Sequence, residues 1–166
     1  KEKYKNILTI IIPRHIDRVK SIKKDLENLN LKIHVHEPKK KITKDTDIYI
    51  VNAYGKTKSF YNNCKNIFLG GSLIEHGGQN PLEATRYGCN IFHGPNVSNF
   101  KDIYNFLKKN KVSYQIRTQS HMVNKLKKFL SKKSSSKRIQ QKFNLIGQSI
   151  LRKTLNEMNL FFKNEI

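Results

Sequence analysis

The residues of this chain best suited to chemistry lie in one loop, residues 70–80, and in the helix predicted to follow it. Two Gly-Gly pairs in this loop let the backbone come close to a ligand. Asn80 is suited to cap a helix and Pro81 to occupy its first turn, where unpaired amide groups favour phosphate. Glu83, one turn later, is placed to bind a pair of sugar hydroxyls. The pattern predicts a site for a phosphorylated sugar compound.

The same residues have a purely structural interpretation, in which the glycines make a tight strand-to-helix turn and Glu83 closes a capping interaction. A single Gly-Gly pair favours that interpretation, because short motifs often match by chance. Here two pairs flank a polar loop and lead into a capped helix. This combination favours the ligand site.

Strands and helices are predicted to alternate on either side of this loop. Apolar runs and alternating patterns predict strands at 7–12, 32–36, 47–51, 67–69, 90–93 and 112–116, the first of them fully buried. Apolar residues at three- and four-residue spacing predict helices at 15–29, 55–63, 81–87 and 98–107. The alternation predicts a Rossmann-like α/β fold with a parallel sheet and helices on both faces. Ligands bind at the carboxyl ends of such strands, where the turn at 13–15 and the loop at 70–78 both stand.

The chain is expected to divide near residue 118. Residues 1–118 are predicted to form one nucleotide-sugar-binding domain, which is expected to be incomplete at its N-terminus because a core strand comes so early. Residues 119–166 are predicted to form helices, at 121–130 and 139–162. The last helix is expected to pack either on its own domain or on a partner domain.

Composition narrows the class of protein. The 166 residues suit one domain, and no run approaches the roughly 20 apolar residues that cross a bilayer. Cys64 and Cys89 lie far apart, so we predict reduced thiols rather than a disulfide framework or a metal site. The net charge of +21 predicts attraction to polyanions such as nucleic acid, anionic lipid or a phosphorylated glycolipid, although a lysine-rich solvated surface explains it equally well.

The histidines do not predict a metal centre. His34 and His36 share one face of a strand and are interpreted as a solvated pair. His15, His76 and His93 lack the spacing of metal ligands, so no metal is predicted.

Three other residues carry a specific expectation. Arg14 lies near a helix start, where a cation is mildly unfavourable, and this local conflict favours a functional role. Ser72 has no visible catalytic partner, which argues against a nucleophile. Asn99 is expected to pin the turn after Gly94-Pro95.

Several of these motifs, in this order and at these spacings, resemble the C-terminal half of the 3-deoxy-D-manno-octulosonic acid (Kdo) transferases of lipid A assembly. The resemblance covers roughly residues 5–130. The motifs that carry it are Pro13-Arg14-His15, Gly70-Gly71-Ser72-Leu73, Gly77-Gly78-Gln79-Asn80-Pro81-Leu82-Glu83, and Gly94-Pro95 with Asn99-Phe100.

The resemblance implies a glycosyltransferase-B arrangement of two Rossmann-like domains, of which this chain is the donor-binding one. It implies CMP-Kdo as donor, a phosphorylated lipid A precursor as acceptor, and an inverting transfer that needs no metal or other cofactor. The acidic base of the family belongs to the N-terminal domain, so no catalytic residue is expected here and the chain alone is expected to be inactive. The implied location is the cytoplasmic face of the bacterial inner membrane, against an anionic surface.

The resemblance also implies roles for single residues. Arg14 is expected to contact the CMP phosphate or the Kdo carboxylate, and Glu83 the ribose hydroxyls. The glycine-rich segments are expected to cradle the phosphate. The full set of expected donor-binding residues is Pro13, Arg14, His15, Gly70, Gly71, Ser72, Gly78, Gln79, Asn80 and Glu83. A loop around Lys56 departs from the family's Gly-Glu-Leu/Met-Gly turn, which puts a donor contact there in doubt.

Two other functions fit part of the sequence. A transferase of the same architecture that uses a UDP-sugar is a second enzyme hypothesis, which competition between CMP and UDP would separate from the first. A basic nucleic-acid-binding module explains the charge but not the loop, and the chain shows no recognised RNA- or DNA-binding motif.

Overall fold

The protein was analysed as a computed structural model, which describes residues 7–131 and 136–164. The chain folds as two compact units that divide between Ser59 and Phe60. This boundary lies inside the 1–118 segment that the sequence predicts as one domain. Each unit is built on a three-stranded parallel sheet.

The first unit has strands β1 (Thr9–Ile11), β2 (Ile33–Val35) and β3 (Ile48–Ile50), in the order β1-β3-β2. A 3-10 turn, Ile16–Arg18, leads into α1 (Val19–Glu27). The apolar side of α1 packs against the central strand through Val19, Ile22 and Leu26, which is the arrangement that their spacing predicts.

The second unit has strands β4 (Asn66–Leu69), β5 (Asn90–His93) and β6 (Ser113–Gln115), in that order in the sheet. The helix α2 (Thr57–Tyr61) precedes β4 and runs across the boundary between the units. The remaining helices are α3 (Leu82–Arg86), α4 (Lys101–Lys109), α5 (Gln119–Leu130) and α6 (Ser136–Asn164).

The first residues of α6 belong to the core of the second unit. Ile139 and Phe143 are buried with Leu69, Ile91 and Leu107, and α6 packs against α3. The described side chains of residues 147–162 are all exposed. No described helix combines the length and the apolar character that crossing a membrane requires.

The predicted class, parallel α/β with helices on both sides and helices at the end, is confirmed. The prediction of a six-residue, fully buried first strand is wrong. β1 has three residues, and Thr9 is exposed. As an edge strand, β1 has a hydrogen-bonding neighbour on one side only, whereas the central strand β3 is fully buried.

Two predicted helices begin as 3-10 turns. The helix predicted at 15–29 starts with the turn Ile16–Arg18 and ends at Glu27. The helix predicted at 98–107 starts with the turn Ser98–Phe100 and continues to Lys109. Apolar spacing locates the buried side of a helix but not the geometry of its ends.

Candidate functional site

Loops of the second unit gather at one edge of its sheet. The aligned pairs Leu69 with His93 and His93 with Gln115 are the last residues of the three parallel strands. The chain therefore leaves β4, β5 and β6 at the same edge, which is where open parallel sheets bind ligands. The loop after β4 contains the glycine motif, and the loop after β5 contains Gly94 and Pro95.

Most glycines of the motif are required by the backbone itself. Gly71, Gly77 and Gly78 have φ values of 67°, 79° and 75°, in the left-handed region that favours glycine. The amide of Gly78 donates to the carbonyl of Gly71 at 2.9 Å, which closes the loop on itself. A Cβ at Gly77 would lie 2.3 Å from the side-chain nitrogen of Asn99. These glycines are explained by the fold alone.

Gly70 differs from these three glycines. It is exposed, and its φ is outside the left-handed region. Among the described residues, no heavy atom beyond Gly70 itself and its two chain neighbours lies within 4 Å of the position of a Cβ. The described fold therefore gives no steric reason for a glycine at the end of β4. A ligand that approaches the backbone closely does give one.

Ser72 links the loops after β4 and β5. Its side chain is fully buried; the hydroxyl donates to the carbonyl of Leu69 at 2.7 Å and accepts from the amide of Gly94 at 2.8 Å. The amide of Asn96 donates to the carbonyl of Ser72 at 2.9 Å. The side chain of Ser72 therefore supports the loop from inside, and the expectation that the Gly70-Gly71-Ser72 turn cradles a phosphate stays a prediction.

The helix α3 begins at Leu82, one residue later than predicted, with Pro81 at the N-cap position and Asn80 bonded to the first helical amide. The side-chain oxygen of Asn80 accepts from the amide of Leu82 at 3.0 Å, and the amide of Thr85 donates to the carbonyl of Pro81 at 3.0 Å. The amides of Leu82 and Gly78 are thus used within the chain. Because the Gly78 amide is engaged with the Gly71 carbonyl, a contact of phosphate with the Gly78 backbone stays a prediction.

Glu83 and Gln79 flank this helix start. Glu83 lies in the first turn of α3 and is partly exposed. Burial raises the pKa of Tyr61, and the negative charge of the nearby Glu83 raises that pKa further. Gln79 is held by its backbone, since its carbonyl accepts from the hydroxyl of Tyr104 at 2.8 Å. Burial raises the pKa of Tyr104, so this hydroxyl stays a donor.

A cleft of about 650 Å³ opens beside the glycine loop. One side is formed by residues 75–77 and the other by residues 95–99 together with Lys101, the first residue of α4. Motif analysis singled out the glycines but did not select Lys101, Asn96 or Ser98. Of the residues in the sequence motifs, Pro95 and Asn99 lie in this second wall.

The predicted contacts Pro13, Arg14 and His15 belong to the first unit. They follow β1 directly, and Arg14 and His15 are exposed. His15 has an extended backbone and precedes the 3-10 turn, whose last amide, that of Arg18, donates to the His15 carbonyl at 3.3 Å. Their position at the carboxyl end of a parallel strand is the one predicted, and their contact with a ligand stays a prediction.

Three of the histidines are partly or fully buried against tyrosine rings. His34 and His36 are partly buried on either side of Tyr49, with ring centroids 5.4 and 5.9 Å away, so the interpretation as a solvated pair is wrong. His93 is buried 4.4 Å from the ring of Tyr104, and burial lowers its pKa. Among the described residues, no three His, Cys, Asp or Glu side chains come together as a metal site would require. The metal-independent transfer stays a prediction.

Comparison with known proteins identifies relatives. No family model matches the sequence. The chain is 33% identical over 137 residues to the 3-deoxy-D-manno-octulosonic acid transferase of Rickettsia typhi, an alignment that covers 82% of the chain and 29% of that protein. It is 28% identical over 137 residues to the enzyme of the same name from Aquifex aeolicus, covering 82% of the chain and 37% of that protein. The chain thus spans about a third of the length of these curated relatives.

A solved structure shows the same fold. The crystal structure of the C-terminal CMP-Kdo binding domain of WaaA from Acinetobacter baumannii matches with a TM-score of 0.78 and 23% identity, covering 89% of this chain and 77% of that one. The predicted fold, the C-terminal half of a glycosyltransferase-B arrangement, is confirmed. The resemblance seen in the motifs is confirmed as well: over most of its length, this chain is homologous to the 3-deoxy-D-manno-octulosonic acid transferases.

Proposed function

We propose that this chain is the donor-binding part of a glycosyltransferase that moves Kdo from CMP-Kdo onto a lipid A precursor in lipopolysaccharide biosynthesis. The names of its relatives and the fold that it shares with a CMP-Kdo binding domain support this proposal. The observation that carries it is the segment after β4. There an exposed, sterically unexplained Gly70 is followed by the Asn80 cap and by Glu83 in the first turn of α3.

In this proposal the segment holds the nucleotide. Glu83 accepts hydrogen bonds from the two ribose hydroxyls, and charge-assisted bonds of this kind are the stronger ones. The phosphate approaches the backbone at Gly70 rather than at Gly78, whose amide is already bonded to Gly71. Arg14 is a second proposed donor contact, on the strength of the family motif.

The remaining parts of the reaction are proposed to lie outside this chain. The acidic general base belongs to the N-terminal domain in the family, so the 166 residues are expected to bind donor without transferring sugar. The transfer is proposed to need no metal or other cofactor. The proposed location is the cytoplasmic face of the bacterial inner membrane, where an anionic surface and a phosphorylated acceptor suit a chain with a net charge of +21.

Calorimetric titration of the chain with CMP and with UMP tests this function. We expect weak binding of CMP in preference to UMP, and a loss of about tenfold or more in CMP affinity for Glu83→Gln, which removes the charge but keeps the shape. Asp102→Asn is the matched control, because Asp102 is an exposed acid in the first turn of α4. Absence of CMP binding, or CMP binding that Glu83→Gln leaves unchanged, contradicts the proposal, and preference for UMP indicates a UDP-sugar enzyme instead.

A further inference from the structure

We propose that the cleft beside the glycine loop binds the sugar-acid part of the donor, with Lys101 as the counter-charge for its carboxylate. This inference rests on the proposed function and deepens it, because it assigns the donor's sugar to named residues. The cleft volume of about 650 Å³ lies within the range of small-molecule sites. All of its lining residues belong to the second unit.

The two walls of the cleft are tied together, so the cleft is formed before a ligand arrives. The amide of Asn99 donates to the carbonyl of Gly77 at 3.2 Å, and its side-chain amide lies 3.5 Å from the carbonyl of His76. Behind these contacts, the buried hydroxyl of Ser72 accepts from the amide of Gly94. Binding to a preformed cleft loses less conformational entropy, because fewer groups must be ordered.

The polar groups of the cleft fit a ligand with several hydroxyls. Asn96, Ser98 and Asn99 line one wall and offer both donors and acceptors. Glu75 and His76 line the other wall, and Glu75 can accept hydroxyl protons. Such a mixture suits a sugar better than a planar base or an acyl chain.

Lys101 gives the cleft a preference for an acidic sugar. It is exposed at the first position of α4, where its charge opposes the positive end of the helix dipole. Among the residues that the structure describes, no ion pair involves Lys101. An anionic ligand removes this conflict, because it meets the cation and the helix start together. A neutral sugar would gain nothing from the Lys101 charge or from the positive end of the helix dipole.

The cleft is also continuous with the proposed nucleotide site along the chain. Gly77 lines the cleft, and the Asn80 cap that starts α3 lies three residues further on. Only a few residues of the chain thus separate Glu83, the proposed ribose contact, from the cleft proposed for the sugar acid. The phosphate that joins them in CMP-Kdo is expected at Gly70, at the start of the same glycine-rich segment.

Titration of the chain with CMP and with freshly prepared CMP-Kdo tests the inference. We expect CMP-Kdo to bind more tightly than CMP, and Lys101→Gln to lower the affinity for CMP-Kdo about tenfold while changing that for CMP by less than about twofold. Lys101→Arg should keep the preference, because it keeps the charge. Lys109→Gln, at the other end of α4, is the matched control and should change neither affinity.

The outcomes separate the inference from the proposed function. If the unmodified chain does not bind CMP, both are overturned. If CMP binds but Lys101→Gln weakens CMP and CMP-Kdo equally, or weakens neither, the sugar-acid subsite is overturned and the nucleotide site stands. Circular dichroism of each variant checks that an exposed lysine was replaced without loss of the fold.

Discussion

At the level of single residues, glycines that look alike in the sequence have different tasks. Gly71, Gly77 and Gly78 adopt left-handed φ values, and Gly94 lies so close to Ser72 that a Cβ would be 2.1 Å from its carbonyl oxygen. Gly70 meets neither condition. The motif therefore combines three glycines that the loop backbone requires with Gly70, which leaves open space next to the backbone.

This difference between the glycines predicts that alanine has different effects at Gly94 and at Gly70. Gly94→Ala should lower the free energy of unfolding by about 1–3 kcal/mol, because the new methyl group overlaps the backbone of Ser72. Gly70→Ala should change stability by less than about 0.5 kcal/mol yet weaken CMP binding. Urea denaturation followed by tyrosine fluorescence measures the stability of both variants, since the chain has seven tyrosines and no tryptophan. A Gly94→Ala protein as stable as the original contradicts the close contact.

At the level of secondary-structure elements, α6 shows what periodicity can and cannot predict. The sequence predicts a long terminal helix with Phe143, Ile150, Leu155 and Phe162 among its apolar side chains. The helix is present over Ser136–Asn164, but of these four side chains only Phe143 is buried. Its ring meets Phe106 edge to face with centroids 5.9 Å apart. Periodicity identifies an apolar stripe, while burial depends on which neighbour lies opposite.

Two phenylalanines of α6 test this difference. Phe143→Ala should lower the free energy of unfolding by about 3 kcal/mol or more, because it opens a cavity in the core of the second unit. Phe161→Ala is the matched control, since Phe161 is 59% exposed, and it should change stability by less than about 0.5 kcal/mol. Thermal denaturation compares them. Equal effects of the two substitutions would show that Phe143 does not pack in the core of the second unit.

At the level of the whole molecule, the most pronounced property is the excess of positive charge. The 33 Lys and Arg residues outnumber the 12 Asp and Glu residues, so the acids are too few to pair with the cations one to one. The described ion pairs Lys32–Asp45 and Lys40–Glu37 are on the surface, where such pairs contribute little to stability. An excess charge of this size bears on solubility and on non-specific binding rather than on the choice of fold.

This charge predicts binding to an anionic membrane surface. The chain should sediment with vesicles that contain phosphatidylglycerol and not with pure phosphatidylcholine vesicles, because each basic residue near such a surface contributes about 1 kcal/mol. Raising NaCl to about 0.5 M should release it, since salt screens exposed charges. Vesicle binding that persists at high salt would point to apolar contacts instead. A parallel titration with duplex DNA shows whether any polyanion competes equally.

The sequence by itself determined the features that depend on near neighbours in the chain. Spacing predicts the alternation of strands and helices, Asn80 and Pro81 predict the start of α3, and the order of motifs identifies the homologous family. Tertiary structure alone decided how residues far apart combine. Ser72 and Gly94 are 22 residues apart, yet their hydrogen bond makes the buried Ser72 side chain a link between two loops. The cleft at Lys101 exists only because parallel strands bring two separate loops to one edge of the sheet. Such contacts follow from strand order and packing, which no local pattern contains.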